Sequence, residues 1–307
     1  MLGVLTGFGI IGFVILVGYA TQRWRILPPT TGLVLNRVAF SVAMPALLFT
    51  VLARSHPAAI FSMPTLASLS AIVVAAGLYL VASRIWFRQS FAETTIGTAG
   101  ASYVNANNIG LPVATYVLGN PQLVVPVLLL QLILMAPTLL AILDITSRGS
   151  VSVRSILTQP LRNPIIIASV AGILVAVLGL QIPDAVMAPF ELIGGAAVPM
   201  VLLAFGISLV GQRPLQPGTG RRAIVVASAI KIAIMPLVAY LFGRFVFQLD
   251  PEHLFGVVAL AALPTAQNIY NYAARYDRGV IMARDTVLIT TIGAVPVLVV
   301  VAALLAP

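Results

Sequence analysis

Two clusters of amides interrupt apolar stretches of this chain, and an amide in an apolar stretch needs a polar partner. The first cluster is Asn105, Asn107 and Asn108, followed by Gly110 and Pro112. The second is Pro264, Thr265, Gln267, Asn268 and Asn271, with Tyr270 among them. A carboxamide offers two N–H donors and a carbonyl acceptor without carrying charge, so it can hold an anion without titrating. Proline removes a backbone donor and clashes with the carbonyl four residues back, so Pro112 and Pro264 mark predicted helix breaks. A half-helix that starts at such a break turns its positive end toward the gap, which suits a carboxylate. Asn105 and Asn108 are three apart and can share one helix face. Gln267 and Asn268 are adjacent and cannot. Tyr270 and Tyr272 offer rings that stack on an apolar ligand body, while an aromatic belt at a membrane face is the other reading of Tyr272 and Tyr276. The plain alternative to a site is a pair of proline-kinked helices whose amides bond their neighbours.

Such clusters need long apolar elements around them, and the composition supplies these. Hydrophobic residues make up 60% of the 307-residue chain and charged residues 8%, against roughly 25% charged in a soluble domain. So few charges cannot cover a soluble surface of this size; the composition is that of an all-α polytopic membrane protein. The chain has no cysteine, which excludes disulfides and thiolate metal sites. His56 and His253 show no metal-ligand spacing, and no cofactor is expected. The net charge of +9 is scattered among short loops with no basic run longer than Arg221-Arg222, so it points to membrane orientation rather than nucleic acid. The first apolar stretch lacks a basic leader and a small-residue cleavage site, so it reads as a span rather than a signal peptide.

About 20 apolar residues cross a bilayer as a helix. Ten stretches qualify as predicted spans. Spans 1 to 5 are Val4–Ala20, Gly32–Ala53, Pro64–Phe87, Thr94–Leu118 and Leu123–Leu143. Spans 6 to 10 are Pro164–Leu180, Ala185–Val210, Ala223–Phe247, Leu254–Arg275 and Val280–Leu305. The amide clusters fall in spans 4 and 9, at matching places in the two halves. Paired interruptions of this kind are the best sequence-level pointer to a transporter's substrate site.

The halves also match motif by motif. Met44-Pro45-Ala46-Leu47-Leu48 aligns with Val198-Pro199-Met200-Val201-Leu202, and Arg84-Ile85-Trp86-Phe87 with Arg244-Phe245-Val246-Phe247. Asn107-Asn108-Ile109-Gly110 aligns with Gln267-Asn268-Ile269-Tyr270. Each half holds five spans, an odd number, so the second copy is expected inverted: residues 1–143, a linker at 144–163, and residues 164–307. Fourteen of the seventeen basic residues follow the odd-numbered spans, from Arg23 to Arg284; the opposite face carries only Arg54 and Arg244. The positive-inside rule then places the linker in the cytoplasm and both termini outside it.

Lys231 is the one basic residue well inside a predicted span. Two readings stand open: it snorkels to the cytoplasmic interface, or it points inward as a fixed cation. No carboxylate lies near the middle of a span; Glu93, Glu191 and Glu252 stand at span ends. That disfavours a dedicated proton or sodium antiporter. No Ser-His, paired-Asp or metal constellation supports an enzyme.

With these residues in view, the chain resembles the auxin efflux carrier family, which includes the plant PIN auxin transporters and bacterial carriers assigned to malonate or malate. The resemblance covers essentially the whole chain. It rests on Met44-Pro45, Asn105 through Gly110-Leu111-Pro112, Arg162-Asn163-Pro164, Arg221-Arg222-Ala223 with Lys231 and Pro236, and Ala261-Ala262-Leu263-Pro264. It implies a homodimer in which spans 1, 2, 6 and 7 form a scaffold, the others form a transport domain, and crossing spans 4 and 9 hold the substrate. It also matches Asn105 and Asn163 to asparagines implicated in carboxylate binding. The long hydrophilic loop of many plant members is absent, and Thr265-Ala266-Gln267-Asn268-Ile269-Tyr270 follows the bacterial branch, without the second proline of the plant pattern. That makes a small carboxylate a better expectation than auxin. The expected protein is a multi-pass carrier of the bacterial inner membrane that moves an organic anion by elevator-type alternating access. The alternative is a sodium-coupled organic-anion symporter of the bile-acid type, which predicts sodium dependence; the absence of an acidic residue beside Gln267 counts against it. A receptor or structural bundle has no reason to carry paired breaks.

Overall fold

A computed structural model describes residues 2–28, 30–54, 62–87, 89–148, 163–211, 215 and 220–306. Every regular element among them is helical. In chain order the pieces are α1 (Leu2–Arg23), α2 (Thr31–Ala53), α3 (Met63–Phe87) and α4 (Phe91–Ser102). Next comes α5, a wide turn over Ala106–Gly110 that continues as Leu111–Tyr116. Segments from Pro121–Val124 to Ala136–Arg148 make up α6. Then follow α7 (Pro164–Val177), α8 (Asp184–Ser208), α9 (Arg221–Val246), α10 (Pro251–Ala261), α11 (Gln267–Tyr276) and α12 (Val280–Leu305).

Five of these, α2, α3, α8, α9 and α12, are long and apolar enough to cross a membrane, and shorter apolar helices accompany them. A helix satisfies its own backbone groups, which is what hydrocarbon demands. Large apolar side chains such as Phe13, Leu192 and Leu304 stand on the outside, while alanines, small residues and a few polar groups fill the interior. The greater part of the predicted 144–163 linker, residues 149–162, lies outside the described residues, as do His56, Arg154 and Arg162.

Four prolines inside the helices share one arrangement, which Pro189, Pro199 and Pro296 do not show. Wide π turns end two residues before Pro45, Pro112, Pro137 and Pro236, at Ala39–Ala43, Ala106–Gly110, Gln131–Met135 and Ile230–Ile234. The wider turn moves the clashing carbonyl aside and takes up the missing hydrogen bond, so the helix continues. This corrects the expectation that Gly110 and Pro112 interrupt the first cluster's helix. Both lie within α5, and the interruption falls earlier, at Tyr103–Asn105. Pro264 does stand in its predicted break, between α10 and α11.

The helices pack as two groups. On one side α1 lies along the second half of α8, and α2 packs against α7 and α8. The first contact is close because Gly18 and Gly206 carry no side chain. A Cβ on Gly18 would overlap the Leu203 carbonyl, and one on Gly206 the Ile15 carbonyl. Small residues at a helix contact give the van der Waals packing that holds helices together in lipid. On the other side α3, α4 and α6 pack with α9 to α12. The half-helix α5 reaches across, touching α1 and α8.

Candidate functional site

The two broken helices meet at their breaks. Val104 and Thr265 form an isolated antiparallel bridge. The Asn105 N–H donates to the Pro264 carbonyl at 2.7 Å, and the Ala266 N–H donates to the Tyr103 carbonyl at 3.0 Å. Each break thus supplies backbone partners to the other, as an apolar interior demands. Four helix ends converge there: the C-terminal ends of α4 and α10 and the N-terminal ends of α5 and α11.

Side chains brace each end by sign. The Thr265 hydroxyl donates to the Gly100 carbonyl near the end of α4. Gln131, nearly fully buried in α6, donates through Nε2 to the Val104 carbonyl at 2.8 Å. Lys231 is fully buried, and its Nζ donates to the Ala261 carbonyl at 2.7 Å, on the last residue of α10. A cation there opposes the negative end of that helix dipole. Lys231 therefore points inward, and among the described residues no carboxylate pairs with it. At the N-terminal ends, Asn105 Oδ1 accepts the Asn108 N–H at 3.1 Å as a cap. Gly110 lets α5 approach the opposite break, since a Cβ there would lie 2.9 Å from Leu263 Cδ1. At the far end of α10, outside the apolar segment, the His253 backbone N–H holds Asp250 below the usual carboxylate range.

The first amide cluster is linked to the second. Asn108 Nδ2 donates to Gln267 Oε1 at 3.4 Å, and Gln267 Nε2 donates to Ser208 Oγ at 3.1 Å. Asn107 Nδ2 donates to Asn108 Oδ1 at 3.1 Å. Two buried amide atoms of the first cluster find no partner among the described residues, Asn105 Nδ2 and Asn107 Oδ1. An unsatisfied buried polar atom costs about 1–3 kcal/mol, so a ligand or water that supplies the missing bond is favoured there.

Beside the crossing lies a cavity of about 540 Å³ between the two helix groups. One wall carries Gln22 of α1, Gly32, Leu33 and Asn36 around α2, and Ala204, Phe205, Ile207 and Ser208 of α8, extended by Leu209 and Val210. The other carries Gln267, Tyr270 and Asn271 of α11 with Arg284, Val287, Leu288 and Thr291 of α12. Residues at i, i+3 and i+4 share a helix face. That is why Gln267, Tyr270 and Asn271 line the cavity together while Asn268 does not. Asn105, Asn107, Asn108, Gly110, Pro112, Pro264, Thr265 and Lys231 lie behind this wall, at or near the crossing, rather than on it. Asn163 caps α7, with Oδ1 accepting the Ile165 N–H at 2.9 Å, and it does not line the cavity either.

Several groups escaped the sequence reading. Arg284 reads from the sequence as a loop cation, yet among the described residues it is the one charged residue in the cavity lining. Asp285 is fully buried in α12; its Oδ1 accepts Arg284 Nε at 2.8 Å and its Oδ2 accepts the Leu215 N–H at 2.8 Å. Gln22, Asn36, Ser208 and Thr291 are isolated polar residues in apolar runs and gave no cluster to notice. Gln131 gave a usable signal, an amide in the middle of an apolar span.

A family model described as "Membrane transport protein" matches residues 9–302 of the chain. A Rhizobium meliloti protein named "Putative malonate transporter" is 27% identical over 303 residues, covering 94% of this chain and 90% of its own length. The Escherichia coli "Uncharacterized transporter YfdV" is 24% identical, covering 86% of this chain and 85% of its own. An "Uncharacterized transporter" of Methanothermobacter thermautotrophicus is 26% identical, with 91% and 90% covered.

Proposed function

The chain belongs to the membrane transport protein family that includes the auxin efflux carriers, and we propose that it moves a small organic anion, a carboxylate, across the membrane. It is a multi-pass membrane transporter; cargo and mechanism are the proposed parts. The observation that carries the reading is the crossing of two broken helices at Val104 and Thr265, beside a polar cavity into whose lining Arg284 brings a charge. Half-helix N-termini, the unpartnered Asn105 Nδ2 donor and a guanidinium all favour negative charge. A relative's name mentions malonate, which has the same chemistry.

The proposed mechanism is elevator-type alternating access. The group α1, α2, α7 and α8 acts as scaffold, and α3 to α6 with α9 to α12 carries the substrate. The cavity lies where these groups face each other, which is where a sliding transport domain opens to one side. Ten crossings in two inverted five-helix repeats fit the order of elements: α1 to α6 match α7 to α12 piece by piece. Both α3 and α9 end in a π turn at their aligned motifs, Ser83–Phe87 and Phe242–Val246. In this reading the scaffold pairs in a homodimer in the bacterial inner membrane. Both termini face away from the cytoplasm, and Asn105 and Asn163 contribute to carboxylate binding.

Purified protein in liposomes tests the proposal. Accumulation of a labelled small carboxylate above protein-free liposomes supports it, and no uptake of any carboxylate under any gradient refutes it. Uptake that requires sodium whatever the pH gradient selects the bile-acid-type symporter instead.

A further inference from the structure

The cavity wall on α12 carries one charged residue whose side chain is already held in place. Arg284 has its side chain about one-third exposed, and Asp285 binds it from one edge, through Nε and Nη2, both at 2.8 Å from Oδ1. Asp285 is itself fixed. It is fully buried, and its second oxygen accepts the Leu215 N–H, so the carboxylate cannot swing away without breaking two sets of bonds. Among the described residues no partner takes Arg284 Nη1. A guanidinium gripped on one edge keeps its remaining donors pre-oriented for a second carboxylate. One helical face, Arg284, Val287, Leu288 and Thr291, carries it into the cavity. Among the described residues the Thr291 hydroxyl, on a residue 7% exposed, finds no partner on that face. On the facing helix α11, Gln267 and Asn271 bring amides to the same space from its N-terminal turns.

We propose that Arg284 is a substrate-recognition residue that takes one carboxylate of a dicarboxylate, with Asp285 as the residue that positions it. The inference rests on the carboxylate-carrier reading and deepens it. The amides and the N-terminal end of α11 offer donors to one carboxylate. A separate guanidinium on α12 is a second anion-binding group, and a monocarboxylate has nothing to offer it. The preferred substrates are therefore small dianions.

The test compares uptake of malonate and succinate with uptake of propionate in proteoliposomes, for the wild type, Arg284→Gln and Arg284→Lys. Wild type is expected to show a lower KM for at least one dicarboxylate than for propionate. A bond to a charged group corresponds to about tenfold or more in affinity. Arg284→Gln is thus expected to raise the KM of that dicarboxylate at least about tenfold, while changing propionate much less. Arg284→Lys keeps the charge but loses the forked geometry, and is expected to recover part of the loss. If Arg284→Gln fails to accumulate, Arg284→Lys alone carries the test: a raised dicarboxylate KM with propionate unchanged supports the proposal, and an unchanged one overturns it. Equal losses for all three substrates overturn it too, since they mark a structural role. Propionate uptake without dicarboxylate uptake in the wild type overturns the inference and leaves the carboxylate reading standing. No uptake of any of the three overturns this inference, and the wider carboxylate screen then decides the reading beneath it.

Discussion

Val104 and Thr265 face each other as an antiparallel bridge at the point where two helices are broken. Neither break could stand alone in an apolar interior, because each would leave backbone donors and acceptors without partners. Paired, each completes the other, with Asn105 and Ala266 donating across the bridge. The geometry also sorts charge. Two negative helix ends meet hydroxyl, amide and ammonium donors from Thr265, Gln131 and Lys231, while the two positive ends keep amides about them.

The two prolines are expected to behave differently. Pro264 stands in the break, whereas Pro112 is accommodated by the Ala106–Gly110 wide turn within a continuing helix. Pro264→Ala lets α10 extend and withdraws the Leu263–Ala266 backbone from the bridge. Pro112→Ala only restores a regular turn. Uptake per inserted molecule should fall more than tenfold in Pro264→Ala and stay within about threefold of wild type in Pro112→Ala. Wild-type uptake by Pro264→Ala would show that the break is a packing feature and that the site lies elsewhere.

Asn105 and Asn163 each have an oxygen committed to a helix cap, so alanine replacements confound capping with binding. A lost cap costs about 1 kcal/mol of stability. Aspartate keeps the accepting oxygen and removes the donor, which separates the two roles. If these amides bind a carboxylate, Asn105→Asp and Asn163→Asp should raise the substrate Kd at least about tenfold, since the new charge also repels it. Asn163→Asp, at a half-buried cap, should preserve thermal stability, whereas Asn105→Asp buries a charge and should lower it. A thermal-shift titration reads both quantities at once. Unchanged Kd in both variants confines the residues to capping.

The difference between Pro112 and Pro264 also marks how far the sequence is legible. Periodicity and hydropathy locate apolar helices well, because lipid imposes one backbone solution. Pro264 declares its break because nothing nearby absorbs it. The break at Tyr103–Asn105 has no proline and is held by the opposite chain segment and by Gln131, partners distant in sequence. For the same reason the cavity was only partly visible. Gln267, Tyr270 and Asn271 share one helix and show their spacing, but Gln22, Asn36, Ser208 and Arg284 come from four other elements. Arg284 looked like a loop cation because charge counting sees where a residue falls, not which face it occupies. Lys231 was undecided for the same reason, until the Ala261 carbonyl supplied its partner.

The orientation proposal rests on fourteen of seventeen basic residues falling on one side. It predicts that a reporter fused after Pro307 matures only outside the cytoplasm. An alkaline phosphatase fusion should be active and a fluorescent-protein fusion dark. The reverse pattern would invert every assignment of side, including the side to which the Arg284 cavity opens.

Lys231 is expected to matter more for transport than for insertion. Its ammonium meets the carbonyl end of α10 at Ala261, next to the break that must hold its geometry while the substrate is bound. Lys231→Met keeps the apolar length and removes the cation, leaving that carbonyl end uncompensated. A lost bond to a charged group costs roughly 1.5–3 kcal/mol, but removing a buried charge also returns the cost of burying it. The net change in stability is therefore expected to be small, with a melting temperature near that of wild type. The crossing loses its electrostatic brace, so uptake should fall at least about tenfold at saturating substrate, in kcat rather than KM alone. Normal uptake at every substrate concentration and pH would reduce Lys231 to a packing residue. A large drop in melting temperature with normal uptake per folded molecule would make it a stabilising bond with no part in transport.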